Sequence, residues 1–138
     1  MRVELGDWDQ MRCWAEPLRF AVFVSEQHVP AEIELDAFDV ASVHAVAFDS
    51  AGHAVGTGRL LPDGHIGRMA VAPSERGSGI GSAILRALMD EARRRGHSQA
   101  VLSAQMHAQD FYRKHGYSVH GDQYDDAGIP HVEMRCPL

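Results

Sequence analysis

The chain has little cysteine: only Cys13 and Cys136, near opposite ends of 138 residues. No C-x-x-C pair occurs, which excludes the usual zinc-cluster and dithiol motifs, so no metal is expected. Two distant thiols are read as free, in keeping with a reducing compartment. Long apolar runs are also missing. The longest, Phe20–Val24, is too short to span a membrane. The opening MRVELGDWDQ lacks the apolar core of a signal peptide. The expectation is a cytoplasmic protein without a membrane partner. Positive charge is not in surplus either. The formal net charge is −6, which argues against nucleic acid as a partner. Repeats and low-complexity tracts are absent.

What is present suits one globular domain with its own core, residues 1–138. The apolar fraction of 45% and charged fraction of 23% are ordinary for such a domain. The charge is uneven. Residues 1–66 hold eleven acids and four bases, whereas residues 67–138 hold eight acids and nine bases. The acids concentrate in SEQHVPAEIELDAFD, Ser25–Asp39, which has Glu26, Glu32, Glu34, Asp36 and Asp39 and no Lys or Arg. With Pro30 inside it, this segment reads as a loop with a helical turn.

The less acidic half contains the stretch around which the chain is organised, IGRMAVAPSERGSGIGSAILRALMDEARRRG, Ile66–Gly96. An apolar strand leads into a turn with Gly77, Gly79 and Gly81, and an amphipathic helix follows. Glycine lets a ligand approach the backbone closely. The helix start adds unpaired N–H groups and the positive end of its dipole. Together they make an anion site, most often a phosphate site. A Walker loop would need Gly-Lys-Ser/Thr, and no lysine is here. The dinucleotide pattern G-x-G-x-x-G fails from Gly77, which meets Ser82, and from Gly79, which meets Ile84. The pattern that fits is R-x-x-G-x-G, with Arg76, Gly79 and Gly81.

Along the rest of the chain, Arg2–Leu5 reads as a short strand. Trp8–Val24 reads as helical, with Trp14, Leu18, Ala21 and Val22 on one face and an interruption at Pro17. Val43–Phe48, Ala54–Leu61 and Ile66–Val71 read as antiparallel strands joined by turns at Asp49–His53 and Pro62–Gly64. Gly67 suggests a bulge or local splay. The helix after the glycine turn places Ile80, Ile84, Leu85, Leu88, Met89 and Ala92 at core spacing. It ends in Arg93–Arg95 and Gly96, read as a solvated helix end. Ala100–Ser103 is a buried strand, Ala108–His115 a short helix, and Tyr117–Val119 and Val132–Arg135 are closing strands. The order implies an α/β (α+β) fold: one mixed, mostly antiparallel sheet with helices on both faces, including a right-handed βαβ unit.

Four motifs in order carry a resemblance. They are the R-x-x-G-x-G loop; AQDFYRKHGY, Ala108–Tyr117; FVSEQ…ELDAFD, Phe23–Asp39, ahead of GTGRLLPDG, Gly56–Gly64; and GIPHVEM, Gly128–Met134. Over nearly the whole chain they resemble the GNAT acetyltransferases, in the ElaA-like and YjcF-like branch. Pro17 departs from the family's first helix.

The resemblance implies an acetyl-CoA-dependent N-acetyltransferase acting directly on an amine, without a covalent enzyme intermediate. It implies acetyl-CoA in a splay between the strands Ile66–Val71 and Ala100–Ser103. Backbone of Met69, Ala70 and Val71 would face the pantetheine arm. N–H groups of Arg76, Gly77, Ser78, Gly79, Ile80 and Gly81 would hold the pyrophosphate. Such chemistry needs a base for the ammonium, a donor for the oxyanion and an acid for the leaving thiolate. A backbone N–H near Val71 and the phenol of Tyr112 are the implied donor and acid. For the base, Glu26 and His131 lead, with Glu34 and Asp36 also considered. His131 is one of nine histidines, so its type alone says little. The acidic segment, through Glu34 and Asp36, reads either as a solvated loop or as an attractor of a cationic small-molecule amine. A homodimer is implied only by the family. A non-catalytic acyl-CoA-binding module and a protein or peptide acetylase remain alternative readings, because fold alone does not fix function.

Overall fold

The computed structural model describes residues 1–138. The strands are β1 (Arg2–Gly6), β2 (Val43–Phe48), β3 (Ala54–Leu60), β4 (His65–Val71), β5 (Gln99–Gln105), β6 (Ser118–Asp126) and β7 (Ile129–Pro137). The α-helices are α1 (Trp8–Arg19), α2 (Ala31–Glu34), α3 (Phe38–Ala41), α4 (Ile80–Arg94) and α5 (Gln109–Arg113). The strands form one seven-stranded sheet in the order β1-β2-β3-β4-β5-β7-β6. Only β4 and β5, joined through α4, run parallel.

Side-chain alternation along β2 sets the layers. Ala45 and Ala47 pack into the main core with α4, while Val46 and Phe48 meet α1 on the opposite face. Helices therefore cover both faces, as the pattern predicts. The core face of α4 is made of Ile80, Ile84, Leu85, Leu88, Met89 and Ala92, the residues whose spacing marks it. Glycine in β3 lets this helix lie close. A Cβ at Gly56 would stand 2.7 Å from Ile84 Cδ1 and 2.8 Å from Ile80 Cγ2. At the helix end the arginines pair with carboxylates one turn back, Arg93 with Asp90 and Arg95 with Glu91, each at 2.7 Å. Hydrogen bonds from Arg94 and then Arg95 pull the Glu91 carboxyl down to about 2.

The N-terminal third differs from expectation. Pro17 does not interrupt α1, which runs to Arg19 and passes into a π-helical segment, Phe20–Glu26. Pro17 is exposed, so its ring turns to solvent, and the missing N–H removes one bond from a helix anchored elsewhere by packing. The buried face is also different: Trp8, Met11, Ala15 and Arg19, followed by Val22. Trp14 and Ala21 are exposed, and Leu18 is only partly buried. The buried face thus includes an arginine, Arg19, outside the apolar set that the spacing marks. The closing strands are longer than their apolar cores suggest. β6 and β7 form a hairpin turning at Ala127-Gly128, and every residue of β6 is exposed. Both cysteines are free, Cys13 exposed and Cys136 buried. No helix is long and apolar enough to cross a membrane.

Candidate active site

The site begins where two parallel strands part. β4 and β5 pair only at His65 with Val101 and Ile66 with Leu102. Beyond Ile66, β4 keeps β3 on one edge and leaves the other edge open. A bulge helps to re-aim it. Thr57 pairs with Ala70 and Arg59 with Gly67, so Gly58 faces both Arg68 and Met69. The expected irregularity thus lies next to Gly67, but the residue in the left-handed region is Arg68, at φ +49°. Ala72 donates its N–H to Val55 O at 2.9 Å, on the β3 side. By strand alternation the N–H of Val71 points the other way, into the gap. The gap opens a cleft of about 840 Å³.

One end of the cleft is the glycine turn. Gly77 and Gly79 have φ +86° and +85°, and a Cβ at either would meet nothing within 4 Å. The turn is therefore open to a ligand as well as dependent on glycine. No N–H from Gly77 to Ser82 finds an acceptor within the protein. They comprise the turn and the unpaired first turn of α4, the arrangement that binds anions. Arg76 braces the turn: its Nε donates to Val71 O at 3.2 Å, and its Nη1 and Nη2 hold both oxygens of Glu26 at 2.7 Å. That hydrogen-bonded pairing holds the Glu26 carboxyl below its ordinary range.

α5 supplies the wall beside the turn. Phe111 packs edge-on against Tyr112, with ring centroids 5.0 Å apart, and lies over Gly81. Tyr112 lines the cleft and its hydroxyl has no hydrogen-bond partner in the protein. Burial pushes its phenol up to about 12. From β7 comes His131, buried and stacked on Tyr124 with centroids 6.2 Å apart. Tyr124 in turn hydrogen-bonds Ser103. His131 Nδ1 lies 2.7 Å from Ile129 O. A carbonyl only accepts, so Nδ1 carries the proton, and in the neutral ring Nε2 keeps a free lone pair.

The acidic segment folds inward. Glu34 and Asp39 are only 1% and 2% exposed, and Asp36 is half-buried. Arg19 reaches Glu34 at 2.9 Å and Asp39 at 2.7 Å, while Arg59 reaches Asp36 at 2.7 Å and Asp39 at 2.9 Å. Burial raises the Asp39 carboxyl, but hydrogen bonds from Arg19 and Arg59 outweigh it and hold the group below its ordinary range. For Glu34 burial wins over its arginine partners, and the carboxyl is raised. Both readings of this segment, free attractor and solvated loop, are corrected for Glu34 and Asp36: these carboxylates neutralise arginines that the sheet and α1 bring to them.

The comparisons with known proteins agree with this architecture. The family model described as an acetyltransferase (GNAT) domain matches residues 11–138. The chain belongs to the GNAT acetyltransferase family. It is 43% identical over 121 residues to the uncharacterized N-acetyltransferase YjcF of Bacillus subtilis, covering 85% of this chain and 86% of that one. Protein ElaA of Escherichia coli is 29% identical over 126 residues, 85% of this chain and 81% of its own. The crystal structure of an acyl-CoA N-acyltransferase from Pseudomonas aeruginosa has a TM-score of 0.86 and 28% identity, with 98% of each chain covered. The branch is the one the motifs resemble, and the protein is an N-acetyltransferase of GNAT type.

Within this GNAT cleft the tertiary structure gathers Glu26, Met69, Ala70, Val71, Arg76, Gly77, Gly79, Ile80, Gly81, Tyr112 and His131. Ser78 instead turns its hydroxyl to Glu75 O at 2.6 Å, although its backbone belongs to the turn. Glu34 and Asp36 do not line the cleft. Sequence reasoning missed Arg59, Arg68, Ser103, Gln105 and Asp126, which do. The signal available was one arginine within each of the apolar strands GTGRLL and IGRMAV, since a charge inside a buried strand needs a partner or a purpose.

Proposed function

We propose that the protein transfers the acetyl group of acetyl-CoA directly to the primary amine of a small acceptor. The observation that carries this reading is the parting of β4 and β5 after Ile66, beside a glycine turn whose N–H groups have no acceptor in the protein. The turn suits a pyrophosphate, and the open edge of Met69, Ala70 and Val71 suits an amide-bearing arm running between the strands. The N–H of Val71 would stabilise the oxyanion that forms when the amine adds to the thioester carbonyl. The Tyr112 phenol, kept protonated by burial, would donate to the sulfur as the carbon–sulfur bond breaks.

Of the candidate bases, His131 is favoured over Glu26. Its Nε2 lone pair is free, whereas both Glu26 oxygens are taken by Arg76. His131 would remove the proton that the amine must lose, directly or through water. The test is incubation of acetyl-CoA with a library of amines, following thiol release and the acetamide by mass spectrometry. Wild type should acetylate at least one primary amine, and His131→Ala should lose roughly 100-fold or more in rate. That loss should shrink as pH rises and the free amine deprotonates in solution. Acetyl-CoA binding with no acetylated amine anywhere in the library would overturn the reading.

A further inference from the structure

Of the three arginines around Glu34, Asp36 and Asp39, Arg68 is the least satisfied. Its Nη2 donates to Asp36 Oδ2 at 3.2 Å. Its Nε stands 3.4 Å from Glu34 Oε2, outside hydrogen-bonding geometry, and is buried without an acceptor. Its Nη1 has no acceptor in the protein. The reason is competition. Arg59 already grips both oxygens of Asp36, at 2.7 and 2.9 Å, and Arg19 takes the same Glu34 oxygen at 2.9 Å. The contrast shows in the electrostatics: for Arg59 the carboxylates outweigh burial and its guanidinium is raised, while for Arg68 burial wins and it is lowered.

The backbone at this guanidinium is unusual. Arg68 sits in the β4 bulge at φ +49°, a conformation that side-chain-bearing residues adopt rarely and that clusters at ligand sites. No strand pairs with β4 on the cleft side of it. Arg68 lines the same cleft as His131, and along β4 it precedes Met69–Val71, which lead toward the glycine turn. Of the carboxylates lining this cleft, Glu26 is held by Arg76, Glu75 lies beside the glycine turn, and Asp126 stands at the end of β6, in the same hairpin as His131.

Resting on the acetyltransferase reading above, we propose that the acceptor is a dipolar small molecule, an amine that also carries an oxyanion, and that Arg68 receives the oxyanion. With Nε buried, the edge offered to a ligand is Nη1 with the remaining N–H of Nη2, and that planar pair matches a carboxylate or a phosphonate. The amine would then lie toward His131 and Asp126. This reverses the preference for a purely cationic acceptor that the acidic segment suggests in sequence.

The experiment compares ω-amino carboxylates of increasing length with their methyl esters, with aminoalkylphosphonates and with plain alkylamines, reading kcat/KM for acetamide formation. Wild type should favour the oxyanion-bearing member of a matched pair by about 10- to 100-fold, the worth of a hydrogen-bonded charge pair. The carboxylate and phosphonate arms decide which oxyanion fits. Arg68→Gln should collapse the ratio toward one. Because Arg68 also faces Glu34 and Asp36, Arg68→Lys serves if the glutamine variant does not fold; it keeps the charge, loses the fork and should cut the ratio several-fold. Amines acetylated without an oxyanion preference, or a ratio unmoved in the folded variant, overturn this inference and leave the transferase reading standing. If no amine is acetylated, both fall.

Discussion

Glu26 and Arg76, separated by 50 positions in sequence, form a two-pronged ion pair that ties the end of the π-helical segment to the glycine turn. Each side chain remains about 40% exposed. Glu26→Gln should therefore change stability by no more than about 1 kcal/mol. It should loosen Arg76 and raise the Kd for acetyl-CoA a few-fold, with kcat little altered. Calorimetry with CoA beside steady-state kinetics checks this. A fall in kcat of roughly 100-fold would restore Glu26 as the base.

Gly79 needs its left-handed backbone and has empty space where a side chain would go. Gly79→Val should fold, at a backbone cost of about 1–3 kcal/mol. Acetyl-CoA affinity should fall at least tenfold, because the β-branched side chain would stand where the pyrophosphate must approach. Unchanged affinity in a folded variant, by calorimetry, would remove the turn from the site.

Tyr112→Phe keeps the ring and its edge contact with Phe111 while deleting the hydroxyl. If the phenol protonates the leaving thiolate, kcat should fall by about 100- to 10,000-fold with CoA affinity nearly retained. Burial disfavours the phenolate and raises its pKa, so the acid form persists through neutrality. The wild-type rate should accordingly show no alkaline loss attributable to this group until pH nears about 12. Turnover within about threefold of wild type would reduce Tyr112 to a packing role.

Arg19 is 1% exposed and holds Glu34 and Asp39 together. Arg19→Met should destabilise by about 3–5 kcal/mol, since it takes the hydrogen-bonding arginine from buried Glu34 and one of two from buried Asp39. Asp39, whose folded pKa is lowered, contributes stability above its ordinary pKa and loses it as pH falls through the lowered value. Glu34 runs the other way: its raised pKa favours the fold as pH falls. Urea titrations from pH 7 into strong acid should show the deficit of Arg19→Met narrowing as Asp39 protonates. A variant as stable as wild type at neutral pH would contradict the assignment of this cluster.

The fold and the glycine-turn end of the cleft were legible because local rules govern them. Period-two and helical spacing marked the strands and the core face of α4, and Gly77, Gly79 and Gly81 marked the turn that opens it, of which Gly77 and Gly79 take positive φ. The arginine-lined end was not legible. Arg19 lies on a buried face that the apolar pattern of Trp14, Leu18, Ala21 and Val22 did not mark, and the acidic segment read either as a solvated loop or as a cation attractor. Only the folded sheet brings Arg19, Arg59 and Arg68 onto Glu34, Asp36 and Asp39 from three different elements. Pair energies between residues 15 to 32 positions apart cannot be read from neighbours in the chain. The bulge at Arg68 and the tautomer of His131 belong to the same class, being set by strand register and by a carbonyl that only the hairpin positions. Sequence alone determined where the glycine turn lies and which helix it opens, because both follow from neighbours in the chain. The tertiary structure decided which charges are paired and left Arg68 with donors that have no acceptor, because those pairs form only across the fold.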